Sequence, residues 1–446
     1  MSLLRTLNPF SRFEHPVGVW AWGMYDLANQ SFQLLVNTLL FGIFLREVIV
    51  GDPDKGKGAW GTMVAASMVL VVLLSPIVGA LADQRAWKRE ILVVTGLICG
   101  LLTALLGFLG PGHLHWAFAI YIVAAVACGL GENMLGAFLP EITRPEKMGF
   151  ASAVGWTMSY IGALMLLGVL ALYGFVLGRN DASQMGPMFI LAGGWFLLGM
   201  SPSVVFFRER AMPQRIGNAA PIGDVFARVF HIVKESRKYR QLARFLVIFF
   251  VYSIGTQTVI YFLGVIGDEM GFGLDMLILF ALEVALTAGI ASAVTGRFQD
   301  RLGHRVTLRV LLGLWVLATG ALATSKWVSL PPASFWFISG AIGLALGGIG
   351  TASRAVVGAF TPEHRSGEFF GLWGMVYKLS AVVGVLSFGF VTSGIGGSTG
   401  QAVGLFMLAG FFGAGFIALS TVNEREGIET AKQAGPAPMA RPTPGQ

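Results

Sequence analysis

The sequence predicts an all-α membrane protein of twelve transmembrane helices, arranged as two pseudo-symmetric six-helix bundles. Three observations carry that fold class: an apolar composition, twelve apolar runs of spanning length, and an internal repeat relating the first six runs to the last six. Of the 446 residues, 55% are hydrophobic and only 12% are charged, where a soluble domain carries about 25% charged residues. Mean hydropathy is +0.71. The 60 glycines and the 12% of aromatic residues suit helices that pack through small residues, with Trp and Tyr at the interfaces.

A spanning helix needs roughly 20 apolar residues. The runs that meet this fall at about 17–45, 59–82, 91–110, 115–138, 149–178 and 186–207 in the first half. In the second half they fall at 244–267, 275–298, 305–324, 334–359, 368–393 and 402–422. This divides the chain into a first bundle (1–207), a polar linker (208–243), a second bundle (244–422) and a tail (423–446). The first run is too long for a signal-peptide core and lacks a small-residue cleavage site, so it reads as a retained span. In the linker, Ile222, Val225, Phe226, Val229, Phe230 and Val233 follow helical spacing, with Arg228, Lys234, Arg237, Lys238 and Arg240 on the basic side. That pattern predicts an amphipathic helix on the membrane surface. The tail, rich in Pro, Ala and Gly, is expected to be disordered.

Loop charge sets the topology. With both termini inside, 24 Lys and Arg fall on the inner side against five outside, and Arg354 and Lys378 lie within spans. The positive-inside rule then predicts cytoplasmic N- and C-termini. The same distribution explains the net charge of +7 without nucleic acid, because the basic residues sit in short loops between spans. Cys99 and Cys128 both lie in apolar runs, which leaves no disulfide framework to expect.

The repeat is colinear. Ser75-Pro-Ile-Val-Gly79-Ala-Leu-Ala-Asp83-Gln-Arg85 is echoed by Ser292-Ala-Val-Thr-Gly296-Arg-Phe-Gln-Asp300-Arg301. Gly136-Ala-Phe-Leu-Pro-Glu141 is echoed by Gly358-Ala-Phe-Thr-Pro-Glu363, and Tyr25 to Ser31 lies over Tyr252 to Thr258. Two parallel six-helix halves joined by an inner loop is the architecture of the major facilitator superfamily. The Gly-x-x-x-Asp-x-Arg signal of the first half resembles that superfamily's loop motif and recurs in the second half as Gly-x-x-x-Asp-Arg. A carboxylate beside a helix end, with glycine allowing close approach, suits a hinge that holds helices in one state. Its candidate residues are Gly79, Asp83, Arg85, Gly296, Asp300 and Arg301.

Several segments sharpen the resemblance. Tyr25-Asp-Leu-Ala-Asn29, Asn133 through Glu141, Gly155-Trp156 and Tyr160-Ile-Gly162 lie in the first half. Tyr252-Ser-Ile-Gly-Thr-Gln-Thr258, Ser353-Arg354, Glu368-Phe-Phe-Gly371 and Lys378-Leu-Ser380 lie in the second. In order over residues 20–390, they resemble the branch containing the autophagy-related vacuolar effluxers and their bacterial relatives. The resemblance implies a secondary transporter whose first, fourth, seventh and tenth helices line a cavity. Fungal members of the branch are associated with amino-acid export from the vacuole. Where the branch usually places an acid, this chain has Ile254, so coupling chemistry does not carry over to the second half.

A charge at the bilayer centre costs about 2.5–3.5 kcal/mol on insertion scales and normally faces protein or a water-filled path. Asp26, Asn29, Gln33 and Asn37 share one face of the first span and read as a cavity wall. Asp26, Glu132, Glu283, Arg354 and Lys378 are the ionisable residues within spans. Glu132 and Arg354 stand 222 apart, the offset of the Gly-Ala-Phe-x-Pro-Glu repeat, and so occupy equivalent depths on the fourth and tenth helices. Two arrangements suit them: a pair across the cavity in the outward-open state, or satisfaction of each within its own half. Asp26 is open to three roles: carrier of a coupling proton, permanent partner of Lys378, or helix tie through hydrogen bonds. Glu283, near the outer end of its span, suits a structural role as well as a cavity one. Asn29, Gln33, Asn133, Tyr252 and Gln257 are neutral groups fit to orient a polar solute. Gly340, Gly343, Gly347 and Gly350 read as close packing.

Other signals fail. Gly51-Asp-Pro-Asp-Lys-Gly56-Lys57-Gly58 mimics a phosphate loop but ends in Gly and follows no strand. The six histidines lack metal-ligand spacing and no nucleophile triad is legible. The expected partners are a small solute, protons and the lipid bilayer, for a monomer with no cofactor, metal, ATP or enzymatic activity. The expected location is a bacterial inner membrane. Transport of a small polar solute, with amino acids as the first class, is favoured over a receptor or assembly factor that kept the fold.

Overall fold

The computed structural model describes residues 8–173, 178, 181–209, 238–269, 274–328, 330–331 and 333–434. Among these, twelve helices are long and apolar enough to cross a membrane. Only helices or closed barrels satisfy their own backbone groups in lipid, which is why apolar runs of this length resolve into helices. The first half comprises α1 (Pro16–Val50), α2 (Pro53–Arg85), α3 (Lys88–Leu106), α4 (Leu114–Ala137), α5 (Met148–Ala171) and α6 (Gly186–Phe206). The second comprises α7 (Arg240–Glu269), α8 (Leu274–Leu302), α9 (His304–Thr324), α10 (Ala333–Phe360), α11 (Ser366–Ile395) and α12 (Gly397–Ala418). Of the Gly51–Gly58 run, residues 53–58 are absorbed into the start of α2, and the linker pattern at 222–233 lies outside the described residues.

The packing repeats with a shift of six. Helix α1 packs on α5 and α6 as α7 packs on α11 and α12; α3 packs on α4 and α6 as α9 packs on α10 and α12. The halves meet along two seams, α2 against α11 and α5 against α8. Gly343 and Gly347 bring α10 onto the backbone of α8, and Gly350 faces Trp156, as the close-packing reading expects.

Both described ends of the chain lie on one face, called here the terminal face. Arg144 pairs with Glu14 at 3.3 Å, and Lys432 with Glu146 at 2.7 Å. Of the tail expected to be disordered, Glu424–Gln433 instead forms a helix, α13; residues 435–446 lie outside the described residues. Asn423 caps it by accepting from the Glu426 N–H, Glu424 and Glu426 occupy its first turn and Lys432 its last, which suits the helix dipole. Docking completes it. Glu424 accepts from the His304 and Arg305 N–H groups at the start of α9, Glu426 accepts from Gln241 at 2.8 Å, and Gly427 lies against Phe360 of α10. A helix this short is marginal alone even with such local caps, so these docking contacts decide its order.

Glu209, 215 residues earlier, does for α3 what Glu424 does for α9, accepting from the Arg89 N–H at 3.0 Å. Burial pushes the Glu209 carboxyl up to about 7, against the pull of that N–H. Replacing Glu424 by Ala should cost about 0.5–2 kcal/mol, the usual loss for a helix cap. The expected result is a lower thermal midpoint and faster proteolysis after Thr421, with Glu424→Gln between Ala and wild type; an unchanged midpoint would show the contact to be idle.

Candidate functional site

Within the spans, α1, α4, α5, α10 and α11 bring two opposite-charge pairs together, each bridging the two halves. In the first, Arg354 Nη1 on α10 donates to Asp26 Oδ2 on α1 at 2.9 Å. The same guanidinium donates from Nη2 to the Ser152 carbonyl at 2.9 Å and from Nε to Ser152 Oγ at 3.3 Å. It is sandwiched between the Trp22 and Trp156 rings, 5.1 and 5.4 Å from their centroids, a cation–π arrangement that favours Arg over Lys. Side-chain exposure is 6% for Arg354 and 11% for Asp26, so the pair is enclosed. Gly155 makes the enclosure possible: a Cβ there would overlap Asp26 Oδ2, Arg354 Nη2 and the Trp22 ring.

The second pair is looser. Lys378 Nζ on α11 stands 3.9 Å from Glu132 Oε2 on α4, with exposures of 16% and 30%. Asn29 donates to Glu132 Oε1 at 3.0 Å and accepts from the Cys128 thiol at 3.0 Å. The Tyr377 ring lies 5.7 Å from the Lys378 ammonium. Further along α1, Gln30 donates to Ser159 at 2.6 Å, and Asn37 donates weakly to Gln33 while accepting from Tyr121 at 2.6 Å. The α1 turns from Ser31 to Leu40 are wider π-type turns, a deviation that frequently marks functional sites.

The expected pair between Glu132 and Arg354 is corrected, and satisfaction of each within its own half holds only in part, for Glu132. They do not pair with each other, and Asp26 is not the partner of Lys378; Arg354 finds its partners in the opposite half, whereas Glu132 keeps Asn29 of its own half at 3.0 Å and meets Lys378 of the other at 3.9 Å. Equal offset in the repeat gives them equal depth, but α10 packs beside α5 whereas α4 packs beside α11. Arg354 therefore meets Ser152 of α5 and Asp26 of α1, whereas Glu132 meets Lys378 of α11.

Of the remaining candidates, Asn133 donates to Ser75 Oγ of α2 at 2.8 Å, and Tyr252 shares a 2.7 Å hydrogen bond with Ser353, directly before Arg354. Gln257 is buried on α7. Glu283 stands apart, bonded to Ser339 between α8 and α10 within the second half.

The hinge motif resolves into two reciprocal helix caps. Asp83, at the end of α2, accepts from the Gly367 and Glu368 N–H groups of α11 at 2.9 and 2.7 Å. Asp300, at the end of α8, accepts from the Gly149 and Phe150 N–H groups of α5 at 2.8 and 3.0 Å. A carboxylate satisfying free N–H groups at a helix start is the favoured cap, here supplied by the opposite half. Gly79 lets α2 approach so closely that a Cβ would run into the Gly367 carbonyl; Gly296 stands in the same relation to Ala153. The motif arginines lie outside these caps: Arg85 lies over the Trp87 ring at 4.5 Å and Arg301 is exposed.

Sequence reasoning missed Lys88. It is fully buried, 3.7 Å from Asp83, ion-paired with Glu141 and donating to Ser366 Oγ at 3.0 Å. Its signal was available: Lys88 follows the hinge Asp by five residues, and Glu141 closes the other repeat motif. A loop lysine satisfies the charge bias equally well from the surface, which hid it. Among the described residues, no group of three or more His, Cys, Asp and Glu is placed to hold a metal.

Residues 61–432 match the family described as vacuole effluxer Atg22 like. The MFS-type transporter YxiO of Bacillus subtilis is 24% identical over 94% of this chain and 98% of its own length. The multi-drug resistance efflux pump PmrA of Streptococcus pneumoniae is 23% identical, over 82% and 87%. Autophagy-related protein 22 of Saccharomyces cerevisiae is 20% identical, over 79% and 75%. Among solved structures, the human organic anion transporter MFSD10 aligns with a TM-score of 0.71 at 16% identity, covering 90% of this chain and 98% of that one. The proton:xylose symporter XylE aligns at 0.69 and 15%, covering 94% and 97%. The chain is thus a membrane transport protein with the major facilitator fold, and it belongs to the vacuole effluxer Atg22-like family.

Proposed function

We propose that the protein is a monomeric secondary transporter that moves a small zwitterionic solute, of the amino-acid class, by alternating access coupled to protons. The observation that carries this reading is the cross-half pairing of the central charges. Parting the halves at this depth strands two cations and two anions, Arg354 and Lys378 against Asp26 and Glu132. Each charge then loses the partner it holds in the closed state, and a solute or proton that takes that partner's place offsets the loss. A zwitterion offers both complements: its carboxylate suits Lys378 and its ammonium suits Glu132, the pair with more open access. The enclosed Asp26–Arg354 pair suits the coupling role. The excess of basic residues on the terminal face supports its assignment as cytoplasmic, and the bacterial relatives support a bacterial plasma membrane.

The test is uptake into proteoliposomes bearing an imposed pH gradient, offered a metabolite mixture and read by mass spectrometry. The expected result is gradient-dependent accumulation of one or more amino-acid-like zwitterions, reduced at least tenfold by Glu132→Gln, a loss of about 1.4 kcal/mol or more. Folded protein that moves no solute under any gradient would sink the proposal and favour a receptor or assembly role.

A further inference from the structure

We infer that Ser152 is a positioning residue that ties the Asp26–Arg354 pair to the Asp300 closure between α5 and α8. The inference rests on the alternating-access reading above. The first two turns of α5 hold two contacts from the other half within four residues. Gly149 and Phe150 give their N–H groups to Asp300 of α8, while Ser152 receives Arg354 of α10 on both its carbonyl and its hydroxyl. Ser152 is fully buried, and its Oγ does not turn back onto its own helix, the common habit of a helical serine. It donates instead to the Thr351 carbonyl at 2.8 Å.

The chain of bonds continues. Thr351 Oγ1 shares a 2.7 Å hydrogen bond with Ser292 on α8, one turn before Gly296 and two before Asp300. Beside the carboxylate, Gln299 donates to the Ala352 carbonyl at 3.1 Å. Asp26, Arg354, Ser152, Thr351 and Ser292 thus form a continuous path from the central pair to the helix that carries the cap. The other seam is built differently. Gly367 and Glu368 are the counterparts of Gly149 and Phe150, and the residue equivalent to Ser152 is Phe370, whose ring lies against Gly136. Only the α5–α8 seam carries a hydroxyl at this place. Coupling is established when two sites bias one two-state element; the α5–α8 seam is that element, and loss of the central pair is the signal it receives through Ser152.

The experiment uses the full chain in lipid nanodiscs with spin labels at Lys147→Cys and Arg301→Cys, which flank the seam on the terminal face. Asp26→Asn should raise the open-to-closed ratio at least tenfold, within reach of a stranded buried charge. In a Ser152→Ala background that response should shrink by about fivefold or more, the lower end of ordinary coupling. Ser292→Ala, which breaks a later link and removes only a hydroxyl, should blunt it likewise, while Phe370→Leu should leave it intact. Proteoliposome uptake should show Ser152→Ala lowering maximal rate with KM within about twofold. A full Asp26→Asn response in both serine variants, or a seam indifferent to Asp26→Asn in protein that moves solute, overturns the inference. Absence of solute movement in wild type overturns the transport reading instead, and this inference with it.

Discussion

Asp26→Asn and Arg354→Gln each open the terminal face and abolish gradient-driven accumulation, and the double variant closes it again: this is the expected result at the central pair. Removing one member of a buried pair leaves the other unmatched, at a typical cost of about 3–5 kcal/mol. That cost falls on the closed state, where Asp26 and Arg354 are enclosed and the guanidinium lies against Trp22 and Trp156, and is relieved when the halves part and water enters. A bias of that size shifts a two-state population by more than a hundredfold. Replacing both members removes the stranded charge, and neutral isosteres of a buried pair are often tolerated. The double variant should therefore be mostly closed by spin-label distance, yet still unable to accumulate solute. If its opening equals the sum of the single effects, the pair does not act as a unit.

The second large effect is expected at the hinge. Gly79→Val places a branched side chain where the Gly367 carbonyl lies, so α2 cannot approach α11 closely enough for Asp83 to reach its two N–H groups. Initial uptake should fall at least tenfold, while the thermal midpoint moves by only a few degrees, since α2 keeps its packing within its own half. Asp83→Asn should be milder. The amide keeps one acceptor but loses the charge-assisted character of the cap, worth about 1–2 kcal/mol or five- to thirtyfold in the closed population. A thiol-reactive probe applied from the terminal face should find positions along the α2–α11 seam exposed in Gly79→Val. Uptake at wild-type rate in that variant would show that the seam need not close.

Much of this architecture was legible in the sequence because it is written in local periodicity and in the repeat. Twelve apolar runs, the colinear offsets and the two hinge carboxylates all follow from patterns within a single helix or loop. The pairing at the centre was not legible. The offset of 222 between Glu132 and Arg354 gives depth, but the partner of a buried charge depends also on how each helix is rotated and which helix stands beside it. Lys88 was hidden because a basic loop residue has a sufficient explanation in topology. Helix α13 was hidden because Glu424 and Glu426 gain their purpose only from the starts of α9 and α7, more than a hundred residues away.

In the alternating access proposed above, Asp83 would leave α11 and Asp300 would leave α5, and each parting would bare a helix start that behaves as about half a positive charge. Small anions in the surrounding solution can then occupy what the carboxylate vacated. Reclosure is a competition between a tethered acid and free chloride or phosphate. Ionic screening acts over about 8 Å at physiological salt, so that competition is felt only in the last approach of the two seams. The dwell time of the open form is therefore a property of the electrolyte as well as of the protein.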